Sequence, residues 1–337
     1  MRDILKSIGK GADNVDKTAK PTGFVKKKKP SRFQRFCKEM WAARMLCLMA
    51  LPAVVLFIMF NYMPLFGLQL AFKKFDVNLG ISGSPWTGLT NIRFLFLSGD
   101  TFWRLTRNTV LYYLLFTATG TILNILLAIG INEFANKRLG KTFQTLMIMP
   151  TFISYAAVSI ILSSILKSKT GLVNRIIIAL GGKNIQFYLK AQYWPLILWI
   201  VRTWKSVGYG SVLYLSVLAG IDQEMYEAAY LDGANARQKM WYITIPMLIP
   251  MVVIMTLLGL GGIMNSDTGL FYQATRNTGT LYKTTQVLDS YVYNALLTGA
   301  DFGTTTATTL YQSVIGFVMV IGTNLIVRRF APENALF

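Results

Sequence analysis

Two groups of side chains in this 337-residue chain have the types and spacing to do chemistry. Arg202 and Lys205 lie three residues apart, hence on one helical face, with Trp199 one turn before and Tyr209 one turn after. Two cations inside an otherwise apolar run must face protein or water, because a charge at the centre of a bilayer costs about 2.5–3.5 kcal/mol on insertion scales. They would line a polar pathway together with Asn265 and Asp267, or pair with carboxylates of a neighbouring subunit, or snorkel. The second group is acidic: Asp222, Glu224, Glu227 and Asp232, four of only 15 acidic residues, crowd into one short polar segment.

Neither group makes an enzyme. Histidine is absent, which excludes a histidine general base, a Ser-His-Asp triad and any histidine-ligated metal. Cys37 and Cys47 have no second pair, so neither a disulfide framework nor a zinc site fits. No GxxxxGK[ST] phosphate loop is present, so a chain that moved solute uphill would take its energy from another polypeptide. The expectation is no catalytic residue, no metal and no cofactor bound by this chain.

The elements that must hold these groups are membrane helices. The chain is 53% hydrophobic and 15% charged, against about 25% charged in a soluble domain. A hydrocarbon core about 30 Å thick needs roughly 20 apolar residues in a helix. Six such stretches are predicted, at 45–66, 108–132, 143–166, 193–219, 243–265 and 309–328, making an all-α integral membrane protein with domain boundaries at 1–44, 45–330 and 331–337. Asn124, Gln144, Ser154 and the Gly259, Gly261, Gly262 cluster read as helix-packing devices within these spans.

The net charge of +19 suits a nucleic-acid binder until its placement is read. Thirteen of the 34 basic residues fall in residues 1–44, directly before the first apolar run. That run starts too late and is too long for a cleaved signal peptide, so it reads as a retained anchor. Excess Lys and Arg mark the inner side, so both termini are expected in the cytoplasm, with lipid rather than nucleic acid as the surface met. On the outer side Gly83–Leu89, Phe94–Trp103, Thr170–Leu180 and Asp289–Leu297 read as turns and short interfacial helices forming a rim.

The loop 220–242 is ordered in a way that a solvated connection need not be. Asp222 suits a helix N-cap, Glu224 suits the positive end of the helix dipole, Ala228 and Ala229 leave a narrow surface, and Gly233 permits a left-handed stop. Pro246 and Pro250 then mark the start of span five. The string EAAYLDGA (Glu227–Ala234), with ITIP (Ile243–Pro246), resembles the EAA loop of permease subunits from binding-protein-dependent ABC importers. The likeness implies that Glu227, Ala228, Ala229, Asp232, Gly233, Ala234, Met240 and Pro246 form a cytoplasmic coupling helix and its flank, received by a groove on an ATP-hydrolysing subunit. Met240 departs from the phenylalanine usual in that family and keeps an adaptable apolar contact.

NYMPLFGLQLAFKKF, GSPWTGL, FQTLMIMPTFIS, GYGSVLYLSVLAGID and VLDSYVYNALL extend the resemblance to the permeases of polysaccharide and aldouronate-type oligosaccharide importers. It implies a type I importer permease fold, a homologous second permease, two ATP-binding subunits carrying ATP and Mg, and an extracellular solute-binding lipoprotein delivering an oligosaccharide. The alternatives are a secondary transporter or channel acting without an ATPase, or a permease for a non-sugar solute. The first would leave the EAA loop unexplained and would be favoured by an inverted repeat, which the sequence does not show by eye.

Overall fold

A computed structural model describes residues 41–97, 99–134, 136–299 and 301–330. The tails at 1–40, Cys37 among them, and 331–337 lie outside the described residues. Contacts divide the chain into two units, Met1–Pro64 and Leu65–Phe337.

The first unit contains α1 (Arg44–Phe57), which carries Pro52 in its interior and buries no residue. A π-type turn over Ile58–Tyr62 follows, with the Phe57 and Tyr62 rings meeting edge to face. Cys47 is exposed on α1. An apolar helix exposed all round suits a lipid or partner environment.

The regular elements among the described residues of the second unit are helical, joined by turns and loops, with an isolated bridge between Lys73 and Trp86. Its α-helices of eight residues or more among the described residues are α2 (Thr90–Leu97), α3 (Asp100–Asn132), α4 (Lys137–Ile148), α5 (Tyr155–Ile165), α6 (Leu172–Ala179), α7 (Trp194–Ala219), α8 (Gln223–Leu231), α9 (Ile245–Leu260), α10 (Leu288–Leu297) and α11 (Phe302–Phe330). α3 and α7 make the most extensive helix pairing. One core cluster joins Tyr112, Val158, Leu198 and Phe271; a second joins Leu95, Leu105, Leu288 and Ala307; a third joins Ala128, Tyr214, Leu218 and Leu248.

Among the described residues four helical stretches are long and apolar enough to cross a membrane: Arg44–Phe72, Asp100–Asn132, Ala236–Leu260 and Phe302–Arg329. The expected third span is not one straight helix. Lys137–Phe152 and Tyr155–Ile165 meet at 92°, which makes a fifth span if the bent pair counts as one. Pro150 removes a backbone donor at the break, a 3-10 turn covers Met149–Phe152, and Ser154 starts a new helix by accepting the Ala157 N–H at 3.2 Å. The expected fourth span corresponds to α7, whose 26 residues reach about 39 Å; its polar face keeps it out of the apolar set. The fifth ends at Leu260, not 265, and Pro250 sits within α9, one turn beyond the first-turn Pro246.

The connections expected on the outer side are built elements. Lys73 is 2% exposed, donates to the carbonyls of Ile81 (2.9 Å) and Ser82 (3.1 Å), and stacks over the Trp86 ring. Asn91 donates to the carbonyls of Leu70, Ala71 and Lys73, clasping the same turn to α2.

Candidate functional site

The break between α4 and α5 opens a row of carbonyls that no helix can satisfy, and α7 answers it. The Lys205 ammonium donates to the carbonyls of Pro150 (3.1 Å), Thr151 (3.1 Å) and Ile153, and lies 4.8 Å from the centre of the Tyr155 ring. In return the Thr151 hydroxyl donates to the Lys205 carbonyl at 2.7 Å. The approach is close because position 208 is glycine: a Cβ there would stand 1.7 Å from the Met147 carbonyl oxygen. A similar economy brings α3 to α7, where a Cβ on Gly210 would meet the Asn124 side chain at 2.4 Å.

These contacts frame a cavity of about 870 Å³, walled by α3, the break at 151–155, α7, and the segment 259–267 with Phe271. Tyr112, Tyr113, Phe116, Tyr155 and Phe271 supply aromatic surface, while Thr117, Thr121, Ser206 and Asn265 supply hydroxyl and amide groups. The Tyr113 and Tyr155 hydroxyls and the Asn124 carbonyl oxygen are buried there without a hydrogen-bond partner. Buried polar atoms are ordinarily satisfied, so these three mark a place for water or a polar solute.

Arg202 and Asp267 face each other across part of this space. The guanidinium and carboxylate are 3.7 Å apart, with 40% and 35% of their side-chain surfaces exposed. A pair this wet and this long is held by about 1 kcal/mol or less. The other Asp267 oxygen accepts the Leu270 N–H at 3.3 Å, at the start of the π-type turn Gly269–Ala274. The segment carrying Asn265 and Asp267 is fixed from behind. Asp289 accepts from the Ser266 backbone N–H and hydroxyl, and Gln312 donates to Asp289 at 3.1 Å and to the Met264 carbonyl at 2.7 Å.

Of the pathway residues expected from sequence, Arg202, Lys205, Tyr209, Asn265 and Asp267 line one cavity. Trp199 does not: its indole N–H donates to the Thr119 hydroxyl at 3.0 Å, placing it between α7 and α3. Lys205 lines the wall, yet its donors are spent on the broken helix. The Ser266–Asp289–Gln312 cluster is not legible in the sequence, since its members lie far apart in the chain, and neither are the unpartnered Tyr113 and Tyr155 hydroxyls, while Asn124, read as a helix-packing device, also turns an unpartnered oxygen to the cavity. Among the described residues no group of His, Cys, Asp and Glu could hold a metal ion.

A second exposed feature begins just beyond the end of α7. Asp222 accepts the Glu224 N–H at 3.0 Å and starts α8. Gly233, at φ +80°, ends it: the Ala234 N–H reaches the Ala229 carbonyl at 2.9 Å and the Gly233 N–H the Tyr230 carbonyl at 3.0 Å, a Schellman stop. Asn235 and Gln238 form a capping box for the one-turn helix Ala236–Lys239, and Met240 opens the π-type turn that leads to Pro246 and α9. The Tyr226 hydroxyl and Thr244 hydroxyl, 2.9 Å apart, tie α8 to that turn. Glu227, Ala228, Asp232, Gly233 and Pro246 are exposed, while Ala229, Ala234 and Met240 are half-buried. A shallow hollow of about 450 Å³ is lined by Tyr226, Glu227, Tyr230, Leu231 and Lys239, with Leu231 84% exposed.

Comparison with known proteins places this architecture. Protein LplB of Bacillus subtilis (strain 168) is 31% identical over 290 residues, covering 86% of this chain and 90% of its own length. The polygalacturonan/rhamnogalacturonan transport system permease protein YteP of the same organism is 30% identical over 306 residues, covering 91% and 94%. The crystal structure of a bacterial ABC transporter involved in the import of the acidic polysaccharide alginate superposes with a TM-score of 0.80 at 30% identity, covering 88% of this chain and 99% of the matched chain. A family model described as binding-protein-dependent transport system inner membrane component matches residues 120–332, which include all of α7, the capped α8 and α9. With the break, the cavity and α8 all set in that frame, the chain belongs to the family of binding-protein-dependent transport system inner membrane components.

Proposed function

We propose that this chain carries a saccharide through the cavity beside Arg202 and Asp267, and that α8 is the cytoplasmic element through which ATP hydrolysis on separate subunits drives the passage. As a permease of an ABC importer it is a multi-pass membrane transport subunit and not an enzyme. The single observation that carries the reading is the continuity of α7. One helix walls the cavity from Arg202 to Gly210 and, after Gly220 and Ile221, leads into the cap of α8. A displacement of α8 is therefore transmitted to the cavity wall by a rod about 39 Å long.

Several features support the wider assembly. The basic tail favours cytoplasmic termini. The exposed Tyr230 and Leu231 and the hollow beside them offer a contact for an ATPase that would hold ATP and Mg, while the fully exposed α1 suits a second permease. A relative is a polygalacturonan/rhamnogalacturonan permease, and the similar solved transporter imports alginate, one structure of it including an alginate pentasaccharide-bound periplasmic protein. A polymer of sugar units delivered by an extracellular binding protein is accordingly the proposed cargo. Closure of the ATPases would supply the roughly 5.5 kcal/mol of differential binding needed to swing a two-state access equilibrium from 1:99 to 99:1.

The test replaces Glu227 by Arg and Gly233 by Pro in the assembled complex. Both variants insert into the membrane and lose substrate-stimulated ATP hydrolysis. Proline cannot adopt the positive φ of residue 233, and Glu227→Arg reverses the charge of the exposed face. Wild-type stimulation in both variants would defeat the assignment of α8.

A further inference from the structure

We propose that Asp267 is an internal stand-in for the carboxylate of an acidic sugar: it occupies Arg202 between passages, and a uronate entering the cavity takes its place, so that the pair sorts acidic from neutral saccharide chains. The inference rests on the cavity being the saccharide path.

Three charged side chains line the cavity, Arg202, Lys205 and Asp267. The Lys205 donors are consumed by three backbone carbonyls, so its charge is fixed in the wall. Arg202 is different. Its side chain meets Asp267 through one nitrogen at 3.7 Å, and 40% of its surface is open. A guanidinium presents five donors in a planar fork matched to carboxylates, and the Asp267 contact uses little of that capacity. A sugar carboxylate approaching in bidentate geometry offers shorter, paired bonds than the resident one.

Asp267 is also built to let go. Its second oxygen keeps the Leu270 N–H when the first releases Arg202, so exchange leaves no carboxylate without a partner. Its backbone carbonyl accepts the Phe271 N–H at 3.1 Å, and the neighbouring Ser266 is anchored to Asp289, which hold the segment in register during the exchange. A lone cation in the passage would retain a polyanionic chain. A carboxylate that returns to Arg202 as each uronate moves on makes the site strong enough to admit and weak enough to release.

The experiment uses the complex reassembled in liposomes with its partner permease, ATPase subunits and binding protein. The probes are a radiolabelled oligogalacturonide and the neutral galacto-oligosaccharide of equal length. Uptake of each is measured, along with retention of the acidic probe on complex trapped by ATP and vanadate. The binding protein is common to all variants, so any change in the acidic-to-neutral ratio reports on this chain. Asp267→Asn should raise retention of the oligogalacturonide about tenfold and slow its uptake, and Arg202→Gln should lower retention by a similar factor, the worth of one charge-assisted contact. In both variants the ratio of acidic to neutral uptake departs from the wild-type ratio.

Changes that scale acidic and neutral uptake equally overturn the proposal, and so does a wild-type complex that holds no oligogalacturonide even at millimolar probe. Tyr209→Ala separates this from the underlying reading. If it impairs uptake of either sugar while the charge variants fail to discriminate, the path stands and the sorting role falls. If none of the three variants alters either uptake, the path itself is wrong and the proposal falls with it.

Discussion

The Lys205 ammonium lies 3.1 Å from the Pro150 carbonyl oxygen, so a cation on one helix caps the broken end of another, 55 residues away. Two more carbonyls share the same donor group and the Tyr155 ring covers it. A cation in the apolar zone thereby serves the backbone of its own chain.

Lys205→Met should accordingly destabilise the fold by about 2–4 kcal/mol, since charge-assisted bonds to buried carbonyls are each worth about 1.5–3 kcal/mol and cavity water replaces only part of them. Lys205→Arg keeps the charge but presents it in a larger plane, and should recover part of the loss. Thermal unfolding of the purified complex in detergent reads the order wild type, Arg, Met. An unchanged midpoint for Lys205→Met would remove the capping role.

Glycine positions along the same helices make a second, sharper contrast. Gly208→Ala has no room, because its Cβ would stand 1.7 Å from a backbone oxygen that cannot step aside without parting α4 from α7. Gly120→Ala and Gly130→Ala have nothing within 4 Å of the new methyl group, and on α3 they should gain up to about 1 kcal/mol of helix propensity. Yield and melting temperature should therefore fall for the first and hold or rise for the other two.

Sidedness can be read with single cysteines placed on a background in which Cys37 and Cys47 are serine. Leu231 in α8 and Leu180 after α6 are both highly exposed, at 84% and 83%. A membrane-impermeant maleimide should label Leu231→Cys only in inside-out vesicles and Leu180→Cys only in intact cells. Labelling of both from one side would overturn the proposed topology.

What could be read directly from the chain was whatever acts locally. Asp222, Glu224 and Gly233 specify the start and stop of α8 within a dozen residues, and the structure has each in the position its chemistry suggests. The helical character of the spans was equally plain from their apolar length. The bend was not. Pro150 sits in an apolar run of a kind that membrane helices often tolerate, and what turns it into a break is Lys205 and the close approach at Gly208, both in a later helix. Trp199 stands apart from the cavity lining for a related reason. It shares a helix with Arg202, but the neighbour that captures its N–H is Thr119 on α3. The pairing of Arg202 with Asp267 needed the turn after α9, which Asp289 and Gln312 secure from α10 and α11.

The 92° bend has a consequence for how the protein is made. α4 and α5 contain 12 and 11 residues, about 18 and 16 Å, so neither half crosses a hydrocarbon core about 30 Å thick by itself. Between them lie carbonyls that lipid cannot satisfy, and the side chain that does so is not synthesised until the ribosome reaches residue 205. The nascent chain must then hold this region in a sheltered or provisional state until α7 emerges, so that two helices enter their final places as one cooperative event. Maturation of the bent segment, in this protein, waits on a lysine still to come.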